Sequence, residues 1–342
     1  MTFLKHTAVA AGLLLAGFGA QAQTTTLKVH HFLGTQSVQH TTMLGDWCKA
    51  IAKDSNNRLK CDIFPSMQLG GTPPQLYKQV VDGVVDVAWT LQAYTAKLNK
   101  LEVFELPFMM TNAEATSRAA WDYGQKYAKD DFSDVKMLAI HVHGPGNIYT
   151  KNKALTQMSD FKGLKVRAPT RQIVKMVSML GATPVSMPVP QVPEALSKGV
   201  VDGAVIPYEV AHGLKVNELT NFTAETDRSY NALYTTVFVL PMNKAKYESL
   251  PADLKAVIDK NSGSDLSAFM GKTQAGDDVV GKKIFEASKN QKISIIAKAE
   301  LEKWRKATDS LDDSWAKDMT AKGMDGAGML KSAQDLIKQY TK

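Results

Sequence analysis

Cysteine and arginine are scarce in this chain. Two cysteines, Cys48 and Cys61, occur in 342 residues, and without histidines beside them they make a poor zinc site. Six arginines stand among 41 basic residues. The formal charge of +7 is therefore carried mainly by lysines spread along the chain and interleaved with acids, as in 298–306 (KAELEKWRK). That pattern reads as solvated helix faces. Nucleic-acid binders cluster Arg and Lys on one stripe with aromatics, so no nucleic-acid partner is expected. Apolar runs of membrane-spanning length are missing, and the mean hydropathy is −0.20, which argues against a polytopic membrane protein. With 23 Gly and 13 Pro, collagen-like and low-complexity classes are excluded. No G-x-S-x-G, H-E-x-x-H, P-loop or dinucleotide glycine fingerprint occurs. What remains is a folded chain long enough for two domains.

The one apolar run lies at the start. Lys5 and His6 precede 7–18 (TAVAAGLLLAGF), and Ala20-Gln21-Ala22 is a small-x-small cleavage site. This reads as a secretory signal peptide over 1–22, cleaved after Ala22. The alternative, a retained anchor, needs a longer span of about 20 apolar residues. Export implies a periplasmic location and an oxidising compartment, where Cys48 and Cys61 are free to pair. Cys48 falls in an apparent helix and Cys61 in the strand that follows. Closing so short a loop contributes about 3 kcal/mol in the chain-entropy model.

Strand and helix signals alternate from residue 27 onward. Strands are expected at 27–33, 59–64, 84–90, 135–141, 163–167 and 201–206. Helices are expected at 38–53, 73–81, 112–129, 171–180 and 190–198, and almost everything from 251 on reads helical. Alternation of this kind means an α/β protein with mostly parallel sheets. One tetrapeptide recurs: Gly83-Val84-Val85-Asp86 and Gly199-Val200-Val201-Asp202. Each follows a helix that starts near proline and precedes a small apolar strand. This fits two lobes built alike, with a ligand cleft between them.

The strongest local signal is at 160–183. A strand ends at Arg167-Ala168-Pro169 and a helix follows, which puts Arg167 where open α/β sheets bind ligands. Its planar fork can hold a carboxylate by two parallel hydrogen bonds. An interdomain salt bridge is the competing reading. Arg171, one turn into the helix, is expected to matter far less for binding.

Phe161-Lys162-Gly163-Leu164-Lys165-Val166-Arg167-Ala168-Pro169, Leu180-Gly181-Ala182-Thr183-Pro184-Val185 and Gly199-Val200-Val201-Asp202-Gly203 form a spaced set. Together with Phe64-Pro65, Gln68-Leu69-Gly70-Gly71 and Glu105-Leu106-Pro107-Phe108, the set resembles the solute-binding subunit of TRAP (tripartite ATP-independent periplasmic) transporters, of the dicarboxylate-binding type. The resemblance covers nearly the whole mature chain. It implies a two-lobed periplasmic-binding-protein-like fold with crossing strands and a long connecting helix. Lobe I would be 23–145 plus 235–275, and lobe II 146–234 plus 276–342. It implies an organic-acid ligand held by Arg167, TRAP permease membrane subunits as partners, and a monomer without catalytic function or cofactor.

The departures from the family pattern point to the ligand. Many relatives carry a second arginine where Asn147 stands here, and an asparagine where this chain has Ile206. Phe32 and Trp89 fall on strand ends that line such sites, and Tyr208 joins the candidate lining. One arginine kept, one lost and aromatics added make a pocket that leans toward a monocarboxylate with an apolar or aromatic body. Large aromatics at strand ends also serve as core. His141 and His143, two apart on one strand, leave open a secreted metal- or histidine-dependent enzyme. A sensor that presents its ligand to a receptor is the third possibility.

Overall fold

The computed structural model describes residues 24–95 and 99–341; the expected signal peptide lies outside the described residues. Leu27 and Val29 alternate with exposed Lys28 and are wholly buried, so β1 (Thr25–His30) packs one face inward. It runs parallel to β2 (Leu59–Phe64) and β3 (Val87–Ala88). With β4 (Thr90–Leu91) and β5 (Val135–Val142) these build the first sheet. The second contains β6 (Gly146–Thr150), β7 (Lys165–Ala168), β8 (Thr183–Ser186), β9 (Gly203–Pro207) and β10 (Phe222–Thr226). The chain then returns β11 (Val237–Asn243) to the first sheet and gives β12 (Lys292–Ile296) to the second. The orders are β2-β1-β3-β11-β4, with β5 on β11, and β12-β10-β6-β9-β7-β8.

Both sheets are mixed, where the alternation suggested mostly parallel ones. β11 is antiparallel to β3, β4 and β5, and β6 is antiparallel to β9 and β10. These strands follow the first two of the crossings between lobes. β11 hides in the sequence because it contains Pro241; the register shifts between Leu240 and Pro241, which accommodates a residue without an N–H.

Helices cover the sheets: α1 (Gly45–Asp54), α2 (Leu76–Val81) and α3 (Ala113–Tyr127) on the first lobe, and α4 (Arg171–Met179), α5 (Val192–Ser197), α6 (Tyr208–Gly213) and α7 (Val216–Leu219) on the second. The expected helix over 38–53 divides into a π turn, Gln39–Leu44, and α1. Asn112 caps α3, its Oδ1 accepting from the Ala115 N–H at 2.8 Å. Cys48 of α1 and Cys61 of β2 form a disulfide, with Cα atoms 5.8 Å apart.

The C-terminal part comprises α8 (Lys244–Ser249), α9 (Ala252–Lys260), α10 (Ser264–Ala287), α11 (Lys298–Thr308), α12 (Ser310–Thr320) and α13 (Gly326–Tyr340). α10, 24 residues long, packs on α3 of the first lobe and α6 of the second. Glycine permits each close approach. An added Cβ at Gly271 would lie 2.6 Å from the Ala113 carbonyl oxygen, and one at Gly281 2.6 Å from that of Tyr208. α13 returns to α3, where the Tyr340 hydroxyl donates to Asp122. The tail thus crosses back to the first lobe, although sequence reading placed 276–342 with the second.

The repeated tetrapeptide is one structural device used twice. Gly83 and Gly199 end their helices at φ +73° and +70°, as a C-cap glycine does. Val85 and Val201 are then buried. The Asp86 carboxylate accepts from the Lys28 N–H and the Asp202 carboxylate from the Lys165 N–H, both at 2.8 Å. Asp86 holds the middle of β1 and Asp202 the start of β7, and the run beyond each delivers Trp89 in one lobe and Ile206 in the other to the cleft.

Candidate functional site

Arg167 sits near the end of β7, paired in register with Val185 of β8 and Ala204 of β9. Its side chain is 3% exposed. Nε donates to the Met187 carbonyl at 3.0 Å and Nη1 to the Val205 carbonyl at 3.1 Å, which fixes the plane of the guanidinium. Burial lowers its pKa, opposed by the phenols of Tyr94 and Tyr234, yet an arginine stays charged. Among the described residues no carboxylate pairs with it. A buried cation without a counter-charge costs several kcal/mol, and an anion from outside relieves that cost.

The cavity beside Arg167 is a narrow slot of about 40 Å³. One wall is a slab of nearly parallel rings. Trp89 stacks on Phe238 at 4.5 Å and 6°, and on Phe32 at 5.0 Å and 24°. His141 extends the slab behind Trp89, at 6.2 Å and 19°. The other wall is aliphatic, from Val189, Val205, Ile206 and Val210. Such a slot accepts a flat apolar body, since aromatic rings favour offset-stacked or edge contacts.

His141, His143 and Glu209, beside the slot, are held by hydrogen bonds. Trp89 Nε1 donates to His141 Nε2 at 2.8 Å, and burial pulls the His141 pKa down to about 3. The Thr236 N–H donates to His143 Nε2 at 3.1 Å, while His143 Nδ1 donates to the Gly144 carbonyl at 2.5 Å. Burial lowers the His143 pKa to about 4. Both rings are neutral, and the nitrogen lone pairs a metal or substrate proton would need are engaged; the two histidines brace the cavity. Glu209 is buried and receives the side-chain amides of Gln39 at 2.9 Å and Gln274 at 3.0 Å. Burial, then repulsion from Asp278, holds its pKa well above the carboxylate range.

Of the residues expected from sequence, Arg167, Phe32, Trp89 and Ile206 line this cavity. Asn147 and Tyr208 border a separate cleft with Glu225, Asp278 and Lys282. There the Tyr208 hydroxyl donates to Glu225 at 2.7 Å, and the Asn147 amide reaches the Pro145 carbonyl at 3.5 Å. Sequence reasoning missed Tyr234, Thr236 and Phe238, which enter the cavity wall from the second crossing and β11. Their i, i+2, i+4 spacing was the available signal.

The model of the bacterial extracellular solute-binding protein family 7 matches residues 29–318. The chain belongs to that family. Its fold is close to that of a TRAP solute-binding protein from Rhodoferax ferrireducens T118, solved with copurified benzoate. The two are 47% identical with a TM-score of 0.91, over 93% of this chain and 99% of that one. A marine metagenome TRAP solute-binding protein specific for aromatic acid ligands, solved with 3-hydroxybenzoate, is 43% identical. Its TM-score is 0.91, over 94% and 100% of the two chains. The C4-dicarboxylate-binding periplasmic protein DctP of Rhodobacter capsulatus is 26% identical over 61% of this chain and 62% of its own length. This TRAP solute-binding protein is thus a two-lobed binding protein and not an enzyme. TRAP solute-binding proteins take small organic acids and work with TRAP membrane permeases, and the family is periplasmic.

Proposed function

We propose that this TRAP solute-binding protein captures a monocarboxylate with an aromatic or apolar body. Arg167 holds the carboxylate, and the body lies in the slot between the Trp89 slab and the aliphatic wall. The observation that carries this reading is the buried, uncompensated guanidinium in a cavity lined mainly by apolar side chains. The relatives solved with benzoate and 3-hydroxybenzoate support it. The protein acts as a monomer in the periplasm, after cleavage behind Ala22. Closure of the two lobes expels water, which strengthens the arginine–carboxylate pair; reopening at the permease releases the acid for uptake.

A thermal-shift screen of the mature protein tests this, with benzoate, 3-hydroxybenzoate, succinate and a uronate as probes. A ligand at 100 times its Kd adds about 2.7 kcal/mol of stability. Benzoate or 3-hydroxybenzoate should shift the midpoint; a shift with succinate or the uronate alone would reject the aromatic reading.

A further inference from the structure

We propose that Tyr234 is a second carboxylate-binding residue, its hydroxyl donating to the same ligand carboxylate that Arg167 holds. The inference rests on the carboxylate reading above and names a further donor at the same site. Tyr234 is 1% exposed and lines the Arg167 cavity. Its hydroxyl is buried and has no hydrogen-bond partner among the described residues. Buried tyrosine hydroxyls normally find one.

The ring is held in place from two sides. The Gly146 N–H donates to the Tyr234 carbonyl at 3.1 Å, and a Cβ on residue 146 would overlap the ring itself. Glycine is therefore what lets the phenol lie against β6. His143 stands edge-on at 5.7 Å and 83°. A ring so confined cannot swing away to find another partner cheaply.

The chemistry at this end of the cavity is lopsided. Burial raises the Tyr234 pKa, so the phenol keeps its proton, and Arg167 is the charged group it feels most. A guanidinium has no acceptor lone pair, so Arg167 cannot receive that proton. The three guanidinium N–H groups left over by the Met187 and Val205 carbonyls and the phenol O–H are donors in one buried site. A carboxylate has two oxygens, one for the guanidinium fork and one left to accept from the phenol.

Calorimetric titration with sodium benzoate tests the proposal on wild type, Tyr234→Phe, Arg167→Ala and Tyr149→Phe. Tyr149 is also buried but lies outside this cavity's wall, and its variant should bind as wild type. Tyr234→Phe should bind benzoate roughly ten- to a hundredfold more weakly, as expected for a lost hydrogen bond to a charged group. Its ligand-free melting temperature should not fall, because the deleted hydroxyl had no partner. Wild type that binds and Arg167→Ala that does not, with Tyr234→Phe at wild-type affinity, would overturn this proposal and leave the carboxylate reading standing. A lower ligand-free melting point with unchanged affinity would likewise overturn it and give the hydroxyl a structural role. Wild type that ignores benzoate and 3-hydroxybenzoate alike would reject both.

Discussion

Replacing Arg167 by alanine should all but remove binding while leaving the protein folded. Two of the five guanidinium N–H donors go to the Met187 and Val205 carbonyls, which leaves three for a ligand. Truncating one member of a desolvated charge pair costs about 2–5 kcal/mol, or roughly 30- to several-thousand-fold in affinity. Stability should change little, because two carbonyls lose a donor while an uncompensated buried charge is removed. Arg167→Lys should bind at least about tenfold more weakly than wild type, since one ammonium cannot brace both carbonyls and also offer a planar fork. Arg118→Ala is the control: its pair with Asp265, at 2.7 Å, lies on the surface. Arg171, which the sequence offered as the mild comparison, is unsuited because it pairs with buried Glu102. Calorimetry with benzoate, with circular dichroism on each variant, gives the answer. A folded Arg167→Ala that binds within about threefold of wild type would refute the site.

Arg171 Nη2 and Nε donate to Glu102 at 2.7 and 3.0 Å, and Nη1 donates to Asp318 at 3.0 Å. Breaking a buried pair costs about 3–5 kcal/mol; with Arg171 38% exposed, Arg171→Ala should cost about 2 kcal/mol, and Asp318→Asn well under 1. Equal losses for the two variants in urea unfolding would contradict this ranking. Glu105 offers a pH test. Burial first, and then the charge of Glu102, raise its pKa from 4.5 to about 8. The folded state therefore holds a proton that the unfolded state has released. Its stabilising share is complete below about pH 4.5 and is lost as pH rises through 8, at about 1.4 kcal/mol per pH unit. His141 and His143, held neutral with pKa values of about 3 and 4, act in the opposite sense only below 6.5. Unfolding free energy should fall between pH 6.5 and 8, and Glu105→Gln should flatten that fall by one proton. An unchanged slope in the variant would reject the assignment.

Much of the architecture was legible because its signals are local. Leu27 and Val29 alternate with Lys28, Asn112 precedes a helical run as a cap, and the two GVVD segments each mark a helix end followed by a buried strand. Arg167 was legible for the same reason: a strand–Pro–helix junction is written in consecutive residues. β11 was not, because Pro241 interrupts a run that reads as a strand only once the register shift is seen. Asn147 and Tyr208 show where reading residue by residue stops. Asn147 stands directly across from Ile206, on the same face of the sheet, and Tyr208 opens α6 just past β9. Neither strand alternation nor residue type therefore tells from sequence which cleft each side chain borders. Both residues border the other cleft.

The sequence by itself determined the class of the protein, the α/β alternation, the cysteine pair and the arginine at the strand end. Only the tertiary structure decided what surrounds that arginine. Phe32, Trp89 and Phe238 come from three separate strand ends and form one stack; Tyr234 arrives from a crossing between lobes and finds room only because residue 146 is glycine. Whether Arg167 has a counter-ion depended on every acid in the chain, near or distant in sequence. Pair distances across two sheets follow from strand order and register, and these are settled by the burial of the whole core, beyond the reach of any local run of residues.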